Sequence, residues 1–127
     1  MWLLTPFGFF SVVKHRTRDC LIVRSRVHLD IRAMRDALPS VVSEPAHTPD
    51  ADYPYRLEVT RAVLADAVRE FVLNGIDYDN FKNEVARVQG RKRASIYGSV
   101  WAALRRLTPG AQESSYLPEG DQRGSLP

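Results

Sequence analysis

Met1-Trp2-Leu3-Leu4-Thr5-Pro6-Phe7-Gly8-Phe9-Phe10-Ser11-Val12-Val13-Lys14 is the most apolar stretch of the chain, and its reading decides the fold. Thr5-Pro6-Phe7-Gly8 has the chemistry of a type I turn, with proline at the second position and glycine at the fourth. The flanking residues are aromatic, aliphatic or β-branched, which favours β structure on both sides. The stretch therefore reads either as the two arms of a hairpin or as one long strand broken by a bulge. A secretory signal is a poor fit, because the first charge, Lys14, follows the apolar run and Pro6 and Gly8 would interrupt a signal helix.

Outward from there, residues 15–19 form a polar connection. Residues 20–26 alternate, with Leu21 and Val23 on one face and Ile22, Arg24 and Arg26 on the other, the period of a half-buried strand. The period then changes. Ile31, Met34 and Leu38 follow helical spacing until Pro39 stops the run. Residues 39–54 hold four of the eight prolines and read as a long mobile loop. Residues 55–59 form a short strand, and Thr60 caps a helix whose stripe is Leu64, Ala67, Val68 and Phe71, ending at Asn74-Gly75.

Asp77 or Asp79 is placed to cap a third helix bearing Phe81, Val85 and Val88, stopped near Gly90. A fourth helix carries an apolar stripe of Ile96, Val100, Leu104 and Leu107, with Tyr97 and Trp101 one position along from the first two. Residues 108–127 lose periodicity and read as a disordered tail behind one domain over residues 1–107. The element order predicts an α+β fold: a small antiparallel sheet of three or four strands with helices on one face, a ferredoxin-like fragment plus two C-terminal helices. A helical crossover from residues 20–26 to residues 55–59 predicts that these strands run parallel and flank residues 9–14 as the central strand.

Composition excludes several classes. The 127 residues are 44% hydrophobic and 26% charged, ordinary for a globular domain and wrong for a collagen, coiled-coil or disordered chain. No apolar run approaches the roughly 18 residues that span a bilayer, so no membrane partner is expected. The single cysteine, Cys20, forms no internal disulfide and fits a reducing cytoplasm. Net charge is +3, unevenly placed: residues 1–38 and 61–108 each carry +4, residues 39–60 carry −3 and the remainder −2.

Met-Trp at the start, Thr5-Pro6-Phe7-Gly8-Phe9-Phe10-Ser11-Val12-Val13, Asp52-Tyr53-Pro54-Tyr55-Arg56, Ile76-Asp77-Tyr78-Asp79-Asn80-Phe81-Lys82 and Tyr97-Gly98-Ser99-Val100-Trp101 occur together. In these segments the chain resembles a group of short uncharacterised bacterial proteins with no established activity. The resemblance spans residues 1–107 and implies a free-standing bacterial domain, without specifying chemistry.

Three constellations are candidates for function. Arg24 and Arg26 on the third strand, with Arg91, Lys92 and Arg93 at a helix start, form a surface suited to phosphates, although a solvated basic face is the plainer reading. Asp77 and Asp79 with Lys82 offer paired carboxylates for acid–base work, against which stands simple helix capping. Tyr97 and Trp101 share a helix flank and read as core or as the apolar centre of a partner interface. His15, His28 and His47 lack metal-ligand spacing, and no cofactor motif is present. These features point to a non-catalytic protein-interaction or binding module, self-association included. A nucleic-acid binder using the basic residues is the alternative, and a hydrolase-like enzyme working through Asp77 and Asp79 ranks third.

Overall fold

The computed structural model describes residues 1–41 and 43–110. The N-terminal stretch is a hairpin. β1 (Trp2–Thr5) pairs antiparallel with β2 (Gly8–Lys14), in a register that sets Thr5 opposite Gly8 and Leu3 opposite Phe10. Neither Pro6 nor Phe7 has a positive φ, so the turn is not one of the mirror-image types that usually close two-residue hairpins. Thr5 stabilises it instead: its hydroxyl accepts the Phe7 N–H at 3.3 Å and donates to the Gly8 carbonyl at 2.8 Å.

β3 (Leu21–Ser25) follows, then α1 (His28–Asp36), β4 (Ala46–His47), β5 (Tyr55–Val59), α2 (Arg61–Gly75), α3 (Phe81–Gln89) and α4 (Arg91–Arg105). The fold is α+β, with one antiparallel sheet in the order β1-β2-β3-β5-β4. The central strand is β3 rather than β2, and β5 runs antiparallel to β3, not parallel as the crossover argument requires. The reason is the two-residue β4, hidden in the proline-rich segment. Both β3 and β4 are antiparallel to β5, so they run in the same direction. The crossover rule holds for β3 and β4, and β5 is inserted between them by a hairpin that the Thr48 N–H closes on the Pro54 carbonyl at 2.8 Å. A ferredoxin-like pairing is thereby replaced.

Residues 39–54 make further ties. Glu44 pairs with Arg32 and Arg35, Asp52 pairs with Arg26, and the His47 ring stacks flat on Tyr55 with centroids 4.7 Å apart. The tail expected after residue 107 falls mostly on residues 111–127, outside the described residues.

Strand alternation divides the core in two. Phe10, Val12, Val23, Leu57 and Val59 face α1 and α2, which contribute Ile31, Met34, Leu64 and Ala67, with Leu38 just beyond α1. Each of the larger side chains, Ala67 apart, stabilises by roughly 1.5–3 kcal/mol when fully buried. Leu4 and Phe9, shifted by one residue from Leu3 and Phe10, point to the opposite face and pack against Val85, Ala94 and Tyr97. Helices on one face therefore describes α1 and α2 only, and α3 with α4 covers part of the other. The apolar hairpin is two-sided, and each side needs a cover.

Gly8 sits where the two layers meet. A Cβ there would lie 2.8 Å from Phe10 Cζ and 2.9 Å from both Cβ and Cγ of Asp30, distances that real side chains do not adopt. Gly8→Ala should destabilise the protein by about 1–3 kcal/mol, the usual cost of overpacking. Urea unfolding measures it, and an unchanged midpoint would show that α1 moves away from the hairpin without penalty.

Candidate functional site

The site is built from the second face of the sheet and the helix pair laid across it. Asn80 caps α3, its side-chain oxygen accepting the Asn83 N–H at 2.9 Å; neither Asp77 nor Asp79 takes that position. Gly90, at φ 94° and ψ 168°, joins α3 to α4, a backbone conformation that side chains other than glycine's strain to reach. The pair is held to the hairpin by Tyr97, whose hydroxyl donates to the Thr5 carbonyl at 3.2 Å, and by Gln89, whose amide donates to the Pro6 carbonyl at 2.6 Å. Phe81 stacks on the Tyr97 ring at 5.8 Å.

A buried ion pair completes the attachment. Asp30, in the first turn of α1 and only 3% exposed, lies beside the hairpin turn. Its Oδ2 accepts the Phe9 N–H at 3.0 Å and Arg93 Nη1 at 2.8 Å, while Oδ1 accepts Arg93 Nη2 at 3.1 Å. The hydrogen bond to Asp30 raises the already high Arg93 pKa. One carboxylate thus links α1, β2 and α4.

Between α4 and the sheet an open cleft of about 680 Å³ remains. Trp2, Leu4 and Phe9 form its floor, and Ile96, Tyr97 and Val100 form the α4 wall. Tyr53 stands on the other side with Arg26, and Lys92 and Arg93 supply positive charge. The Arg24 and Arg26 guanidinium carbons lie 4.6 and 4.7 Å from the Tyr53 ring centroid, which orients both residues. Arg24 also donates to Ser11 Oγ at 2.6 Å, and Arg26 to the Asp52 carboxylate at 3.0 Å. Lys92 has no ion-pair partner among the described residues.

Of the basic residues singled out in the sequence, Arg26, Lys92 and Arg93 meet at this cleft, Arg24 adjoins it through Tyr53, and Arg91 does not line it. Tyr97 and Trp101 do not form one surface: Tyr97 is buried against the hairpin, whereas Trp101 is 67% exposed. The fourth helix is turned so that Ala94 and Tyr97 face inward and the Ile96 and Leu104 row faces outward, with Leu107 exposed in the turn after it. Asp77 and Asp79 lie on the exposed α2–α3 connection, away from the cleft, and Lys82 lies along Gly98 of α4. Trp2 and Phe9 are the residues the sequence reading missed. The odd–even split of the hairpin, with Leu3 and Phe10 on one side and Trp2, Leu4 and Phe9 on the other, is the signal that would have found them.

The lining contains no histidine, cysteine or serine, and its one carboxylate, Asp30, has both oxygens occupied. Among the described residues, no group of three or more His, Cys, Asp or Glu side chains is arranged to hold a metal ion, and no helix is long and apolar enough to cross a membrane. Compared with known proteins, the chain matches no family model, no curated protein and no solved structure.

Removing one partner of a buried ion pair leaves an uncompensated charge, so Asp30→Ala should cost about 3–5 kcal/mol by chemical denaturation. A loss below about 1 kcal/mol would mean that water reaches Arg93 and the pair is not what fixes α4.

Burial pushes the Tyr97 phenol above its ordinary value of 10.0, outweighing the opposing Arg93 guanidinium. A folded pKa above the unfolded one means that the native state holds the proton longer. The contribution is therefore complete below pH 10 and is lost as pH rises from there through the folded pKa. Tyrosinate absorbance should show one late-titrating group that Tyr97→Phe removes; a variant with an unchanged titration curve would place the late proton elsewhere.

Proposed function

We propose that the chain is a non-catalytic binding module whose cleft between α4 and the sheet takes a partner with apolar side chains and a negative charge. The observation that carries this is the pairing of an aromatic and aliphatic lining with positive charge at the same cleft, whose lining has no histidine, cysteine or serine and whose one carboxylate is already engaged. Trp2, 65% exposed although it stacks edge-on against Phe9 at 5.6 Å, presents the kind of large apolar surface that a partner covers. A cytoplasmic setting fits Cys20, a half-buried free thiol in a chain with no second cysteine.

Nucleic acid is the second reading, favoured by Arg26, Lys92 and Arg93 sharing one cleft with aromatic residues. Against it, Arg26 and Arg93 are already paired with Asp52 and Asp30, which leaves Lys92 as the lining cation without an ion pair among the described residues. A phosphate backbone needs more.

The two tryptophans make the test direct. In a Trp101→Phe background Trp2 reports on the cleft alone, and an anilinonaphthalene sulfonate dye supplies both an aromatic body and an anion. Binding should change Trp2 emission and weaken about tenfold in Ile96→Glu, which puts a like charge into the wall. No dye binding, together with oligonucleotide binding whose salt slope is about −0.7 per phosphate contact on single strands, would replace this reading with the nucleic-acid one.

A further inference from the structure

The row that α4 turns outward does not stop at the cleft. Ile96 and Val100 line it, Leu104 continues the same helical row beyond it, and Leu107 follows in the turn after the helix, with exposed Trp101 beside them. From Ile96 to Leu104 the row is roughly 12 Å long at 1.5 Å per residue, about two helical turns. Charge is distributed along this helix with one sign. Residues 91–106 contain no aspartate or glutamate, and basic residues stand at both ends: Arg91 and Lys92 before the row, with Arg93 engaged by Asp30, and Arg105 and Arg106 at its far end.

We infer that the partner is an acidic amphipathic helical segment of another protein, laid along α4 with its apolar side on the Ile96–Val100–Leu104 row and its carboxylates toward the two basic ends. This deepens the binding-module reading and rests on it. Helical rows three and four residues apart interdigitate with those of a second helix, which suits a ridge of about two turns better than an extended chain does. Charge selects the occupant. A second copy of this chain, paired along α4 in either direction, would set one basic cluster against another, and like charges in contact disfavour association. A membrane surface would meet Leu104 and Leu107, but Ile96 and Val100 line a concave cleft whose floor is Trp2, Leu4 and Phe9. A partner side chain enters that hollow; a lipid headgroup plane does not.

Two fluorescein-labelled helical peptides test this on the full-length protein. Both carry a leucine stripe, one flanked by glutamates and the other by lysines at the same positions. The glutamate peptide should bind at least about tenfold tighter than the lysine peptide, and the preference should shrink as salt rises. Leu104→Glu, at an exposed position outside the cleft, should weaken the glutamate peptide about tenfold and leave dye binding at the cleft unchanged. Equal affinity for the two peptides overturns the inference. So does a concentration-dependent dimer in sedimentation that Leu104→Glu abolishes, or a Trp101 emission shift on phosphatidylserine vesicles that the glutamate peptide fails to compete away. Loss of peptide binding with dye binding intact removes only the helical partner, whereas loss of both removes the cleft as a binding site.

Discussion

The carboxylate of Asp30 is the point through which the layers of this protein are connected. It belongs to α1, on one face of the sheet, yet it receives a backbone N–H from β2 and both terminal nitrogens of Arg93 from α4, on the other face. Its position at the start of α1 adds the favourable end of the helix dipole. Gly8 makes the approach feasible, since any side chain there would occupy the space of Asp30 itself. The cleft exists because α4 is fixed at its Arg93 and Tyr97 turn, near the hairpin turn, while the helix row beyond that point has no cover.

Much of the fold is legible in the residues. The hairpin, the β3 alternation, the Ile31–Met34–Leu38 row, the strand at Tyr55–Val59 and the Thr60 cap, whose hydroxyl accepts the Val63 N–H at 3.2 Å, all follow from local chemistry. What is not legible depends on pairing across distance. Ala46-His47 is too short to have a period, yet it sets the direction of β5 and thereby the strand order. Asn80 outcompetes two aspartates for the α3 cap because the helix starts at Phe81, a boundary that spacing alone leaves open by several residues.

The site was legible in its charges and not in its aromatics. Arg26, Lys92 and Arg93 stand out as basic, and they do converge. Trp2 and Phe9 sit in an apolar pattern indistinguishable from core, and only the three-dimensional arrangement separates a side chain that a helix covers from one left at a cleft. On α4 two apolar rows compete, Ala94 with Tyr97 and Ile96 with Val100 and Leu104. The larger row has the greater hydrophobic mass, yet the smaller faces inward, because a phenol that reaches the Thr5 carbonyl and an alanine that admits close helix approach fit the gap over β1 and β2.

The two-cluster core also has a consequence for how the protein opens. The cluster under α1 and α2 is complete without α3 and α4, whose own cluster is limited to Val85, Ala94 and Tyr97 with a few partly buried neighbours. Cooperative units of unequal burial come apart at unequal free energies, the weaker through sub-global fluctuation rather than full unfolding. The α3–α4 pair is such a unit, tethered at one end by the exposed connection after α2. Its breathing would change the width of the cleft while the main core stays closed, so the cleft's dimensions are a property of an ensemble set by one ion pair, a tyrosine and a glutamine.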